Sequence, residues 1–433
     1  MLLLALACTG SDSDVPTGDP TDTFPSFHGR VPKNLLVVSM DTTRRDLFAR
    51  YGDTAYAPFL DGLMEEGVAL DRHRSCSNWT MPSVLCAQTG MTNIDLGMVP
   101  DLRDTNRSMA PVGMRTLATR LSDAGYYTQL VTSNSWFSAD HLTDQGFEVS
   151  IRPDSRGTTA IFDTAIEELQ AERDSGETRP WYAHMHIKEP HPAYNPPEEY
   201  LTDLEGLDPL KWDLAKSDDQ YAADAQYDGM STEEQELLLE HLRIRYHGEV
   251  RWMNDQLEAE FDELDQLGFL DDTLVVFWVD HGEQFWEHGD QTHAYHLHNE
   301  ENDTIAFFWS KNIVADSWEE PTSHIDIAPT ILNLLGVDDT EGLTGLPVGQ
   351  APPDRTLDMV SAARLGIVQS VVKENWKLIY RWGTGERWLY DTDADPTEVN
   401  DLYAADEPHA KELEATLDDR ISAMEPLTDY SPN

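Results

Sequence analysis

Cysteine and positive charge are both scarce in this 433-residue chain. Its three cysteines, Cys8, Cys76 and Cys86, allow at most one internal disulfide. Cys76 and Cys86 are either that pair, in an oxidising compartment, or two half-buried free thiols, and neither is assigned a catalytic role. Lysine and arginine number 30 against 80 aspartates and glutamates, a formal charge of -50. A surface this negative repels phosphate backbones and excludes nucleic-acid binding through a basic patch. It also slows any anionic substrate, so an enzyme for such substrates needs strong local positive charge, which a bound metal supplies. Most of the acidity reads as a solubility device suited to a salty habitat. Internal repeats are lacking, and the apolar run at the N-terminus is too short to span a membrane.

That run, Met1-Leu-Leu-Leu-Ala-Leu-Ala-Cys8, is followed by Thr-Gly-Ser-Asp-Ser-Asp. It resembles the end of a bacterial lipoprotein signal, which is cut before a cysteine that then carries the lipid, so Cys8 is the candidate lipidation site. No basic region precedes it. An ordinary secretory signal and a chance apolar N-terminus are the other readings. The expectation is export to the periplasm or cell surface, with a lipid anchor as the one link to a membrane.

Residues 9–30 are rich in Ser, Thr, Asp, Pro and Gly and read as a flexible tether. Order is expected from Asn34-Leu-Leu-Val-Val-Ser-Met40, an apolar run suited to a strand buried on both faces. Helical patterning follows at 57–67 and 111–124, then a second strand, Tyr127-Thr-Gln-Leu-Val-Thr132. A helix near 158–173 precedes a strand at 181–187. Residues 231–267 predict a long amphipathic helix or helix pair, leading into Thr273-Leu-Val-Val-Phe-Trp-Val279, the clearest buried strand. This alternation argues for a doubly wound, mostly parallel sheet. Residues 203–230 are acidic and weakly patterned, as in a surface insertion. Further on, Val371-Val-Lys-Glu-Asn-Trp-Lys-Leu-Ile-Tyr380 and Glu386-Arg-Trp-Leu-Tyr390 predict a hairpin turning at Gly383-Thr-Gly385, with a helix at 406–424 packed on it.

Asp41 and Asp280 stand immediately after the two strongest strands. In open parallel sheets, sites form just beyond the carboxyl ends of strands. His281 follows directly, within Val279-Asp-His-Gly-Glu283. Hard carboxylate oxygens with an imidazole suit Mg, Mn, Zn or Ca, and spacing does not choose among them. Taken singly, each would equally be a helix cap or the start of a loop. In Ser77-Asn-Trp-Thr-Met-Pro-Ser-Val84, Thr80 lies two residues before a proline, which places its hydroxyl at the start of a helix. Free N–H groups there stabilise an anion, and metal coordination would make the hydroxyl a nucleophile. Alone, Thr80 would be a plain N-cap.

Together these segments resemble the sulfatase family of the alkaline phosphatase superfamily. The run from Asn34 through Asp41 to Asp46 is similar to its first metal-binding strand and loop, and Asn78-Trp-Thr-Met-Pro-Ser83 to its nucleophile segment. Glu189-Pro-His-Pro-Ala-Tyr-Asn-Pro-Pro197 resembles a pocket loop that carries His191. Val275 to Glu283 resembles the second metal strand, continued by Glu287-His-Gly289, and His293 falls where the family has a substrate-facing residue. The resemblance implies an α/β, alkaline phosphatase-like three-layer sandwich with a mostly parallel central sheet and a small C-terminal antiparallel α+β subdomain. It divides the chain into a tether (1–30), a catalytic domain (31–350) and a C-terminal subdomain (351–433).

The departures also inform. Sulfatases proper carry a Cys or Ser that is oxidised to formylglycine; Thr80 cannot give that aldehyde, and neither Cys76 nor Cys86 stands before x-Pro. Val84 replaces an arginine, Thr42 a second acidic ligand, and Thr132-Ser-Asn-Ser-Trp136 lies where aryl sulfatases have Gly-Lys-Trp-His. An unmodified threonine tilts the chemistry toward phosphorus.

The resemblance implies one divalent cation, with a second left open, held by Asp41, Asp280, His281 and Thr80. Thr80 is the implied nucleophile and His191 or His293 the proton donor; Asn134, His288 and Arg45 are further substrate-binding candidates. The expected activity is hydrolysis of a small anionic ester or of a glycan or lipid-headgroup ester, whether phosphate or phosphonate diester or sulfate ester. A cell-envelope transferase of phosphoglycerol or phosphoethanolamine, and a non-catalytic binding protein, are the alternatives.

Overall fold

The computed structural model describes residues 24–154 and 157–427. Cys8 and most of the tether lie outside the described residues. Eight strands form the main sheet: β1 (Asn34–Met40), β2 (Val68–Leu70), β3 (Tyr127–Thr132), β4 (Val149–Ile151), β5 (Trp181–Ile187), β6 (Thr273–Val279), β7 (Ala306–Trp309) and β8 (Asp316–Trp318). Their spatial order is β8-β2-β7-β6-β1-β5-β3-β4. Only β7 runs antiparallel to its neighbours.

Helices α1 (Pro58–Glu66), α2 (Thr80–Thr89), α3 (Leu117–Asp123), α4 (Thr158–Ser175), α5 (Ser217–Asp224), α6 (Thr232–Gln266) and α7 (Ile327–Leu335) belong to the same body. Strand alternation sorts them into layers. Leu36, Val38 and Met40 of β1 share a core with α1, α4 and α6, whereas Leu35 and Val37 share one with α2, α3 and α7. Each fully buried aliphatic side chain stabilises this sandwich by roughly 1.5–3 kcal/mol.

The central strands match their sequence-based bounds, and 231–267 is one continuous helix, started by a capping box between Ser231 and Glu234. Gly248 within it is a packing device. A Cβ there would lie 2.9 Å from both Pro196 Cγ and Tyr200 O, so its absence lets the loop that follows His191 rest on α6. Three expectations need correction. Residues 111–116 are not helical: Thr116 caps α3 through the amide of Thr119, and the chain before it turns at Gly113. Residues 203–230 are more than a surface insertion, since they form α5 and bury Leu214 and Ala223 in the core. The run 371–380 is two strands, because Glu374 adopts a left-handed φ of 54° and Lys373 pairs with Trp376 across a two-residue turn.

The C-terminal meander is β9 (Thr356–Ala363), β10 (Gly366–Lys373), β11 (Trp376–Arg381) and β12 (Arg387–Asp391), all antiparallel, followed by α8 (Pro408–Met424). One face, with Ile367, Val371 and Leu378, packs on Leu413 and Leu417 of α8. The other, with Met359, Val368 and Ile379, meets Leu297 of the main body. Backbone bonds stitch β9 and its turn to that body: Val360 N to Cys76 O (3.0 Å), Leu102 N to Ala362 O (3.0 Å) and Arg364 N to Ala294 O (3.1 Å). A fully buried ion pair, Lys377 Nζ to Glu398 Oε1 at 3.0 Å, is anchored to the main body where Glu398 Oε2 accepts from His298 Nδ1 and Asn299 N. Cys76 and Cys86 are both fully buried and unlinked.

Candidate active site

β1 and β6 run side by side with Met40 opposite Val279, so the next residues, Asp41 and Asp280, share one floor, both fully buried. Between strand and loop, Thr42 adopts a left-handed φ of 56°, strain of about 1 kcal/mol or more. That turn aims its amide at Asp280 Oδ1 (3.2 Å), while its carbonyl accepts from Tyr246 Oη (2.7 Å). His281 Nδ1 donates to Gly282 O at 3.0 Å, which leaves the lone pair on Nε2. That nitrogen lies 3.4 Å from Asp41 Oδ1 and 3.6 Å from Asp280 Oδ2. Thr80 opens α2, as its place before Pro82 leads one to expect. Asn134 Nδ2 joins the pieces, donating to Asp41 Oδ2 (2.8 Å) and to Thr80 Oγ1 (3.3 Å). The Thr80 hydroxyl also faces Asp280 closely enough to oppose the rise in its pKa.

Asp41 Oδ1, Asp280 Oδ2 and His281 Nε2 are buried acceptors with no partner. Burial raises the pKa of both carboxyls, and for Asp280 the nearby Asp41 adds to the rise. Burial, with His293 close by, lowers that of His281, keeping the ring neutral. Two crowded acids and a neutral imidazole lone pair converging on one point are the donor set a divalent cation requires, so these residues fit one.

His186 shares a ligand-sized cluster with Asp41 and Asp280, one atom from each lying within 4.8 Å of the others. Its protonation follows from its neighbours. Gln88 Nε2 approaches His184 Nδ1 at 2.9 Å, and an amide nitrogen only donates, so His184 carries its proton on Nε2. That proton points at Ser39 Oγ (2.8 Å), whose own hydrogen then goes to His186 Nδ1 (2.7 Å). His186 is left with a proton on the unpartnered Nε2. In this tautomer its Nε2–H is a donor next to Asp41 and Asp280.

Above this floor the rings of His281 and His293 are 4.6 Å apart, and those of His293 and His191 5.1 Å. His293 is held between two left-handed residues, Thr292 (φ 77°) and Ala294 (φ 71°), and its Nδ1 lies 3.0 Å from Glu283 Oε1. His191 Nδ1 donates instead to Pro192 O at 2.8 Å. Burial lowers both pKa values, that of His293 to about 3, with Arg364 and Lys188 adding positive charge nearby.

Of the sequence-based candidates, Asp41, Thr80, Asn134, His191, Asp280, His281 and His293 are brought together. Arg45 and His288 are not. Arg45 pairs with Asp303 at 2.6 Å and stacks on Tyr51. His288 is engaged at both ring nitrogens, by Glu300 and by Glu398 O, and stacks on His298. Arg45 lines a cleft of about 1170 Å³ between the main body and the C-terminal sheet. Of the arginines there, Arg44 is tied to Glu287, Arg50 to Asp71 and Arg72 to Asp393, while Arg74 is bonded to the Asn299 amide oxygen. Sequence reasoning passed over Glu283, Lys188 and Arg364. Glu283 stands inside a quoted motif, two residues after His281, and Lys188 lies immediately before the loop that begins at Glu189; Arg364 carries no local signal.

The family model described as Sulfatase matches residues 33–337. Choline-sulfatase of Rhizobium meliloti (strain 1021) is 23% identical over 449 aligned positions, covering 89% of this chain and 84% of that protein. The structure of BT4656 in complex with its substrate D-glucosamine-2-N,6-O-disulfate superposes with a TM-score of 0.72 at 18% identity, over 93% of this chain and 99% of that one. Phosphonate monoester hydrolase SpPMH from Silicibacter pomeroyi gives 0.67 at 19% identity, over 92% and 96%.

Proposed function

The chain belongs to the sulfatase family and is a hydrolase of ester bonds, and from that premise we propose that it cleaves small anionic sulfate esters with Thr80 as the nucleophile. The observation that carries this reading is the single amide, Asn134 Nδ2, bonded to both Asp41 and Thr80. Asp41, Asp280, His281 and the Thr80 oxygen would hold one divalent cation, which supplies positive charge against the ester oxygens and acidifies the hydroxyl.

The remaining work falls to the chain's own groups. Thr80 Oγ bonds to sulfur as the ester S–O bond breaks, and its proton passes to the Asp280 carboxylate it faces. Asn134 Nδ2 and the His186 Nε2–H are fixed donors for the charge that develops. The leaving alkoxide takes a proton from His293, preferred over His191 because its Nδ1 meets the side-chain carboxyl of Glu283, which burial holds in its protonated form and which can pass that proton to the ring, whereas the Nδ1 of His191 meets only a peptide carbonyl. In the free site His293 is neutral; the negative charge of a bound ester draws the proton onto it. Water then cleaves the Thr80 ester, giving its proton to His293, while the proton held by Asp280 returns to Thr80 Oγ and restores the hydroxyl.

A second reading, hydrolysis of phosphate or phosphonate esters, is favoured by Thr80 itself. Threonine cannot become the aldehyde hydrate used by sulfatases proper, and attack by water on a threonyl phosphoester is the easier release. Export through the N-terminal segment, with Cys8 lipidated and residues 31–350 carrying the chemistry, completes the proposal. No helix among the described residues is long and apolar enough to cross a membrane.

The test is turnover of 4-nitrophenyl sulfate and of a phenyl phosphonate monoester with added Ca, Mg, Mn or Zn. Metal-dependent turnover that favours sulfate, and that falls by about a thousandfold or more in Thr80→Ala, is expected. A faster phosphonate reaction moves the assignment to phosphorus. Full activity in the variant removes Thr80 from the mechanism.

A further inference from the structure

The C-terminal sheet reaches the segment that carries His293. The β9–β10 turn carries Arg364, whose amide is bonded to the carbonyl of Ala294, the residue after His293. The Arg364 guanidinium carbon sits 5.2 Å from the centre of the Tyr295 ring and 5.9 Å from that of Tyr221, so two aromatic rings flank it. Tyr221 comes from α5 and is 51% exposed; Arg364 is exposed as well. Three distant stretches of chain thus converge on one guanidinium at the rim. In a chain with 80 acidic residues, it forms no carboxylate ion pair among the described residues. Its charge reaches both His191 and His293.

A cation flanked by two rings, with Asp224 and Glu283 within electrostatic reach but no carboxylate in ion-pair contact, keeps N–H donors for a ligand, and the guanidinium fork matches a sulfate or carboxylate. The reacting ester group is already served by Asn134, His186, His191 and His293 deeper in the pocket. Whatever meets Arg364 belongs to the part of the substrate that projects outward, the alcohol that leaves. We propose that Arg364, framed by Tyr221 and Tyr295, is a binding site for a second anionic group on the alcohol half of the substrate, so that the enzyme selects polyanionic esters over singly charged ones. This rests on the reading of the pocket as an ester-sulfate site.

Two sugars that share a reacting 6-sulfate and differ in charge at C2 test it: D-glucosamine-2-N,6-O-disulfate and N-acetyl-D-glucosamine 6-sulfate. Wild-type kcat/KM is expected to favour the disulfate. Arg364→Ala erases about tenfold of that preference, mainly through KM, and Arg364→Lys restores part of it. An equal loss on both sugars would mean that the arginine merely pins the hairpin, and an unaltered preference would mean that it does not meet the substrate; either overturns the proposal. Titration calorimetry of the two sugars into Thr80→Ala, with and without Arg364→Ala, reads the subsite without turnover. Tighter binding of the disulfate that disappears with Arg364→Ala supports it, and equal affinity sinks it. If no ester is turned over by the wild type, the hydrolase reading fails while the calorimetry still decides the subsite.

Discussion

A threonine attacks an ester only when its proton has a destination and its oxygen a donor, and Thr80 has both in Asp280 and Asn134. Asn134→Ala therefore lowers kcat by about a hundredfold, the typical loss of one fixed donor, with a smaller effect on KM; steady-state kinetics on 4-nitrophenyl sulfate check this. If His293 is the acid, its removal matters most for poor leaving groups. His293→Ala should slow an alkyl sulfate at least tenfold more than 4-nitrophenyl sulfate, whose phenolate needs little help; equal losses on both would exclude the acid role. Chelation with EDTA should abolish turnover and lower Tm, because it leaves Asp41 and Asp280 facing one another uncompensated. Asp41, Thr80, Asp280 and His281 were legible in the sequence because each abuts a strand or opens a helix. The donor state of His186 was not, since it passes through Ser39, His184 and Gln88 on three separate elements.

Among elements, the most legible were those buried on both faces: β1 and β6 announce themselves as near-continuous apolar runs, and β3 and β5 as short segments rich in aromatic and other strand-forming residues. β7 escaped notice because four residues, Ala306–Trp309, are too few to distinguish a strand from any short apolar stretch. The turn at Glu374 was hidden inside a run that reads as one strand, since a left-handed glutamate is not a usual turn signal. What fastens the C-terminal sheet was equally hidden, because Lys377 and Glu398 are ordinary surface residue types yet neither is exposed at all. Burial alone would raise the Glu398 pKa, but the Lys377 ammonium beside it brings it to about 2. A carboxylate depressed in this way stabilises the fold above the unfolded value near 4.3, and that contribution is lost as pH falls toward 2. Tm measured between pH 5 and pH 2.5 should fall steeply, and much of that fall should be missing in Glu398→Gln. The variant itself should be less stable at pH 7 by about 3–5 kcal/mol, because it strands a buried ammonium. Denaturant melts measure both.

Across the whole molecule, a formal charge of -50 opposes the arrival of an anion and strains the fold by self-repulsion. Salt screens both effects, with a Debye length of about 10 Å at 0.1 M and about 3 Å at 1 M. Raising KCl from 0.05 to 1 M should thus increase Tm and increase kcat/KM on 4-nitrophenyl sulfate, and a fall in kcat/KM would show that the local field of the site governs approach. The sandwich could be foreseen from the alternation of strands and helices, but not the dependence of its pocket on the far end of the chain. Cys76, four residues ahead of Thr80, receives its backbone bond from Val360, and the loop of His293 receives one from Arg364. A nascent chain in which residues 356–391 have not yet folded therefore lacks the two backbone bonds that fix these segments, and the reaction centre is set only once that sheet docks.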